Sequence, residues 1–195
     1  PNQDLSEEEP TVRLNLTLVL DRSNSMKGSR IEKVKIAAHR IIDDLSEDDF
    51  ISVIAFNDRA EVVIAATPLT DKPSLKAKIS LMAASGGTEI FKGLSAGVEQ
   101  ARANLGTNLV NHMLLLTDGN TYGDQDDCLA LADQMSMDGI GISTMGLGHD
   151  WNDAFLDDLA SKTGGSSVYI NSANAVVRFM NDHVRNLTNA FAERV

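Results

Sequence analysis

Apolar residues along this chain fall into two recurring patterns. One is the short continuous run, which suits a strand covered on both faces. The other recurs every three to four residues, as in a helix with one buried stripe. Val12, Leu14, Leu16, Leu18, Val19 and Leu20 predict a first strand that ends in unbroken apolar sequence. Ile31, Val34, Ala38, Ile41, Ile42 and Leu45 then mark a helix over about 29–45, and Ser29 precedes Glu32 at capping-box spacing. Residues 50–56 predict a second strand and 61–66 a third. The short turn Asn57-Asp58-Arg59 between them implies an antiparallel pair at a sheet edge.

Helices are expected at about 72–82 and 91–105, on either side of Ser85-Gly86-Gly87. Met113, Leu114, Leu115 and Leu116 predict the fourth strand. A helix at about 126–137, a strand at 140–147, a helix at 152–162 and a strand at 167–170 follow. A long helix from 173 to about 192 closes the pattern. Alternating strands and helices with doubly buried strands predict an α/β fold. The expected sheet is doubly wound, six-stranded and mostly parallel, with one antiparallel edge strand and helices on both faces. Residues 1–10 are acidic and aperiodic and read as a tail or linker, leaving 11–195 as one domain. Folds of this class bind ligands beyond the carboxyl ends of the strands, where strand order reverses.

Two strands end abruptly in carboxylates. The first runs from Leu20 into Asp21-Arg22-Ser23-Asn24-Ser25, and the fourth from Leu116-Thr117 into Asp118-Gly119. Between them lies Gly86-Gly87-Thr88, whose glycines let backbone approach a ligand closely. If the first and fourth strands are neighbours, Asp21, Ser23, Ser25, Thr88 and Asp118 converge. That set is all oxygen, with no His or Cys, and hard cations want oxygen ligands. Mg²⁺ fits best, because it keeps waters alongside few protein ligands; Ca²⁺ and Mn²⁺ suit the same donors. Two carboxylates only just balance the charge, so an outside carboxylate becomes a strong further ligand. The donor set thus points to metal-bridged recognition of an acidic group.

These residues resemble the metal-ion-dependent adhesion site of von Willebrand factor A domains. Asp21-Arg22-Ser23-Asn24-Ser25, Thr88 and Asp118 match its D-x-S-x-S, T and D elements, in order and on the expected loops. Gly86-Gly87-Thr88, Leu114-Leu115-Leu116-Thr117-Asp118-Gly119 and Met145-Gly146-Leu147-Gly148 are similar to that family's segments. The resemblance implies that Ser23 and Ser25 bind a cation directly. It implies that Thr88 binds directly or through water, and that Asp21 and Asp118 act through water. The open position then takes an Asp or Glu from a protein partner. In some relatives the terminal helix moves when that position fills. Asn24 stands where many relatives have Gly, and Asn tolerates a left-handed backbone better than most residues. Arg22 is a large cation beside the site. Glu89 follows Thr88 and is either an internal competitor or a residue at the next helix's start. Tyr122 is an aromatic candidate for partner contact. Arg22, Asn24, Glu89 and Tyr122 are therefore the candidate partner-binding residues.

Charge and the rest of the sequence narrow the alternatives. A formal net charge of −11 repels phosphate backbones and anionic lipids, which argues against nucleic acid as the main partner. No apolar run approaches the roughly 20 residues of a membrane span, and no N-terminal apolar stretch resembles a signal peptide. The compartment is open, with a lean toward the cytoplasm. The single cysteine, Cys128, excludes an intrachain disulfide and reads as a packing residue. The sequon at Asn15 lies inside a strand, and a second begins at Asn186. Asp21 to Glu32 mimics an EF-hand in spacing, but Met26 stands where Gly is needed. The acidic loop over 118–127 is a weak candidate for a second Ca²⁺ site. Phosphate-binding glycine motifs and the G-x-S-x-G nucleophile motif are absent. Of the histidines, His39 and His183 fall in helices, and only His149 is expected on the functional face. The enzymatic alternative is hydrolysis by a metal-bound water, for which no base is evident. A structural module with a vestigial site is the other alternative, opposed by the complete donor set.

Overall fold

Six strands build one sheet in a computed structural model that describes residues 12–106, 108–147, 153–179 and 182. The strands are β1 (Arg13–Asp21), β2 (Phe50–Phe56), β3 (Ala60–Pro68), β4 (Leu109–Thr117), β5 (Ile140–Leu147) and β6 (Ser167–Ile170). The helices are α1 (Ser29–Asp44), α2 (Lys72–Ser80), α3 (Ile90–Arg102), α4 (Gln125–Met137), α5 (Asp153–Ser161) and α6 (Ala173–Phe179). A short 3₁₀ turn, Asn24–Met26, precedes α1. Strand order is β3-β2-β1-β4-β5-β6, and every neighbouring pair is parallel except β2–β3. The expected doubly wound sheet with an antiparallel edge is thus observed. Strand order reverses between β1 and β4, which places the natural binding crevice beyond Asp21 and Thr117.

Two apolar layers sandwich the sheet. Leu14, Leu16, Leu18 and Leu20 of β1 pack with Ile31, Val34 and Ile41 of α1 and with Leu75 and Ile79 of α2. Val19, Ile54, Met113 and Leu115 point the other way, against α3, α4 and α5. Both faces are covered, so the central strands read as continuous apolar runs. Each such fully buried Leu contributes on the order of 1.5–3 kcal/mol. Asn15 and Thr17 interrupt the second face of β1 and find hydrogen-bond partners there, although Asn15 Oδ1 is buried without one. The Asn15 amide donates to the Ala101 carbonyl at 2.8 Å and to Asn111 Oδ1 at 2.9 Å. Asn15 is therefore a buried structural amide and not an accessible glycosylation site. Ser52 Oγ donates to Thr17 Oγ1 at 2.9 Å.

Several boundaries differ from expectation. β4 begins at Leu109, four residues before its apolar run. Asn111 and His112 hid its first half, because each finds a cross-strand partner: Asn111 accepts from Asn15, and His112 Nε2 lies 2.8 Å from Ser143 Oγ. The Ser29–Glu32 capping box does not form. Gly28, at φ 84°, occupies the N-cap of α1 with no side-chain hydrogen bond. α2 and α3 end at Ser80 and Arg102, sooner than expected. Of the long terminal helix, Ala173–Phe179 is described; the rest of that expectation, Asp182 apart, lies outside the described residues, as do Gly148, His149, His183 and Asn186. Among the described residues no helix is long and apolar enough to cross a membrane.

One packing contact positions the site. α3 lies close on the sheet because it presents glycine there. A Cβ on Gly93 would sit 2.6 Å from the Phe56 ring, and one on Gly97 would sit 2.9 Å from both Val19 and Met113. That close approach holds the start of α3, with Thr88 just before it, over the ends of β1 and β2.

Candidate metal centre

Asp21 is the last residue of β1 and is fully buried. Each of its carboxylate oxygens already has a donor. Oδ1 accepts from the Ser23 backbone N–H at 2.8 Å, and Oδ2 accepts from Thr117 Oγ1 at 2.8 Å. Ser23 Oγ lies 3.1 Å from Ser25 Oγ, and the Ser25 hydroxyl donates to Asp118 Oδ2. Asp118 is buried, and its Oδ1 accepts from the Asn120 N–H at 3.1 Å. Four of the five expected donors therefore form one chain of contacts from β1 to β4. Thr117 was missed as a site residue; it lies on β4 beside Asp21's strand and fixes that carboxylate.

Thr88 reaches the same place on a strap that is pinned at both ends. The Ser85 N–H donates to the Arg22 carbonyl at 2.8 Å, and the Asn24 N–H donates to the Gly86 carbonyl at 2.9 Å. Gly86 has φ +80°, and a Cβ there would meet Asp58 Oδ1 at 2.6 Å and Asn57 Nδ2 at 2.8 Å. Asn57 anchors the strap: its Nδ2 donates to the Ser85 carbonyl at 2.8 Å, and its own carbonyl accepts from the Glu89 N–H at 2.8 Å. In sequence Asn57 reads only as a turn residue; its burial marks it as a bracket. The loop after β4 closes the other side. Thr121 Oγ1 accepts from the Ile90 N–H at 3.0 Å and Asp124 Oδ2 from the Phe91 N–H at 3.0 Å, satisfying two free donors at the start of α3. The Tyr122 N–H donates to the Thr88 carbonyl at 3.2 Å. The result is a cleft of 470 Å³ whose lining includes Asn24, Ser25, Thr88, Asp118 and Tyr122.

The profile of the von Willebrand factor type A domain matches residues 15–183. The chain belongs to that family. An uncharacterized Synechocystis protein, sll0103, is 39% identical to this A domain over 177 residues, covering 90% of this chain and 42% of the relative. The A domain thus spans less than half the length of that relative. BatB from Bacteroides thetaiotaomicron has the same fold, with TM-score 0.79 and 18% identity, covering 90% of this chain and 99% of that one. Proximal thread matrix protein 1 of the mussel byssus, in a structure with zinc in its MIDAS motif, matches at TM-score 0.73 and 21% identity. That match covers 92% of this chain and 47% of the mussel protein.

Electrostatics at the A domain's site are set by burial. Burial pushes the Asp21 carboxyl up from 3.8 to about 6; hydrogen bonds from Ser23 and Thr117 pull it down, and the nearby Asp118 charge adds to the rise. A buried carboxylate held in this way gains from a compensating cation. The nearest side-chain cation to Asp118 is Arg30, whose Nη1 is 3.9 Å from Oδ2 and 3.5 Å from the Ser25 carbonyl. The donors grade from buried Asp21, Ser23 and Asp118, through half-buried Thr88, to exposed Ser25 at the mouth. All are oxygens, two are carboxylates, and a cleft opens beside them. A hard cation fits that set.

The four candidate partner-binding residues diverge. Tyr122 is 91% exposed on the rim. Asn24 lines the cleft, and it needs no left-handed backbone, since no described residue other than glycine has positive φ. Glu89 occupies the N-cap of α3, pairs with Lys92 at 2.6 Å and does not line the cleft. Arg22 turns from the cleft: its Nη1 donates to the Ala83 carbonyl at 3.3 Å and to Ser85 Oγ at 3.4 Å. Among the described residues, no cluster of three or more His, Cys, Asp or Glu side chains could hold a metal. In the loop over 118–127, Asp124 caps α3 and Asp126 and Asp127 open α4.

Proposed function

We propose that this A domain is a protein-binding module whose grip depends on one divalent cation. Asp21, Ser23, Ser25, Thr88 and Asp118 hold the cation, with Mg²⁺ as the natural occupant and Ca²⁺ or Mn²⁺ suited to the same donors. When bound, the cation supplies an electrophilic point that takes a carboxylate oxygen from an Asp or Glu of the partner. The protein's part is to fix the donors. Thr117 and the Ser23 N–H orient Asp21, Asn57 fixes the strap that carries Thr88, and Asn120 orients Asp118. Tyr122 and Asn24 flank the cleft and contribute partner specificity.

The contact chain Ser23–Ser25–Asp118 beside buried Asp21 carries this reading. The mussel relative's zinc-occupied motif supports it by analogy of fold. A binding role fits the cleft better than hydrolysis does. Apart from Asp118 and the exposed Tyr122, its lining residues are Asn24, Ser25, Gly86, Gly87, Thr88, Asn120, Thr121 and Gln125, none of them a proton acceptor at neutral pH. Calorimetric titration of chelator-stripped protein with Mg²⁺ tests the proposal. One saturable site, lost in Asp21→Ala and weakened in Thr88→Ala, is expected. Equal binding by the wild type and Asp21→Ala overturns it.

A further inference from the structure

The face that carries the metal loop has a second opening. A groove of 430 Å³ lies between the start of β3 and the end of α2. Its apolar wall includes Val62, Leu81 and Met82, with Leu81 85% and Val62 45% exposed. Two cations, Arg22 and Lys78, line it against one carboxylate, Glu61. That balance runs against a chain whose formal charge is −11. Among the described residues neither Arg22 nor Lys78 has an ion-pair partner. Arg22 is also under-satisfied: beyond its two long contacts to Ala83 and Ser85, its Nε is buried with no acceptor. Both of those contacts use Nη1, so Nη2 keeps its donors for an acceptor that enters the groove.

We propose that this groove docks an extended segment of a partner protein that carries one acidic residue between apolar ones. The acid pairs with Arg22 and Lys78, and the apolar neighbours cover Leu81, Val62 and Met82. An Arg–carboxylate pair in a partly desolvated groove is the strong form of such a contact. Glu61 disfavours a second acid in the same segment. Arg22 stands between two metal-site residues in sequence, yet its side chain lines this groove and not the cleft. The groove therefore works without the metal, and its occupancy is independent of the function proposed above.

The test is an amide NMR titration of the chain in EDTA with a short peptide bearing one glutamate between two leucines. Saturable shifts at Arg22, Val62, Leu81 and Met82 are expected, with about tenfold weaker binding of the glutamine analogue. Lys78→Glu reverses an exposed charge without touching the core, and about a tenfold loss is expected there too. Glu61→Gln is expected to strengthen binding, and added Mg²⁺ to leave it within about twofold. Shifts centred on Thr88 and Asp118, equal affinity for the glutamine analogue, or full affinity in Lys78→Glu would each overturn the proposal. So would groove shifts that follow protein concentration and not peptide, since a second copy of the chain would then be the occupant.

Discussion

Replacing Asp21 by asparagine in metal-free protein is expected to stabilise the fold at neutral pH, although the residue is fully buried and twice hydrogen-bonded. The reason is charge. A carboxyl raised from 3.8 to about 6 carries about 3 kcal/mol of unfavourable burial once ionised, at about 1.4 kcal/mol per pH unit. Asparagine has the same shape and keeps the acceptor for the Ser23 N–H. Its amide faces Thr117 Oγ1, which must then accept where it now donates, a loss of about 1 kcal/mol. The net gain is about 2 kcal/mol, or about 4–8 °C in Tm for a chain of this size. The pH dependence fixes the cause. A raised folded-state pKa means that the stability linked to protonating Asp21 is fully present below 3.8 and is lost as pH rises through about 6. The advantage of the Asp21→Asn variant should therefore appear between those limits and level off above about pH 7. Thermal melts of both proteins in EDTA across this range provide the assay. Adding Mg²⁺ should reverse the ranking, because a ligand at about 100 times its Kd adds about 2.7 kcal/mol to the wild type alone. A variant less stable than wild type at neutral pH in EDTA, or an increment that ignores pH, would refute the reasoning.

Other consequences are as direct. Asn57→Ala should cost about 0.5–1.5 kcal/mol, by removing the hydrogen bond from Asn57 Nδ2 to the Ser85 carbonyl, and should weaken Mg²⁺ binding because the strap of Thr88 loosens; denaturant melts and calorimetry read the two effects. Gly93→Ala places a methyl against the Phe56 ring and should cost about 1–3 kcal/mol in chemical denaturation. Cys128 is fully buried, and burial with the charges of Asp124 and Asp127 holds its thiol well above the ordinary range. A thiol reagent at about pH 8 should label it only after unfolding, and prompt labelling of the native protein would contradict its placement.

The sheet was readable because burial on both faces leaves a plain mark: β2, β5 and β6 fall where their apolar runs fall. The donors of the site were readable because they end or follow a strand or follow a glycine pair. What holds the donors was not. Thr117 reads as one more β-branched strand residue, and Asn57 as a turn. Their roles arise from β1–β4 adjacency and from a strap twenty-eight positions along the chain, neither of which has a local signature. Asp124 looked like part of an acidic loop, yet it caps a helix thirty-three residues away. Arg22 sits in the motif by sequence, but its side chain lines the neighbouring groove.

Anomalous diffraction from crystals soaked in Mn²⁺ tests the metal centre most directly. One strong peak is expected within bonding distance of the Ser23 and Ser25 hydroxyls, on the cleft side of Asp118, and absent from Asp21→Ala crystals. A peak at the acidic start of α4, or none in the cleft at saturating Mn²⁺, would contradict the account.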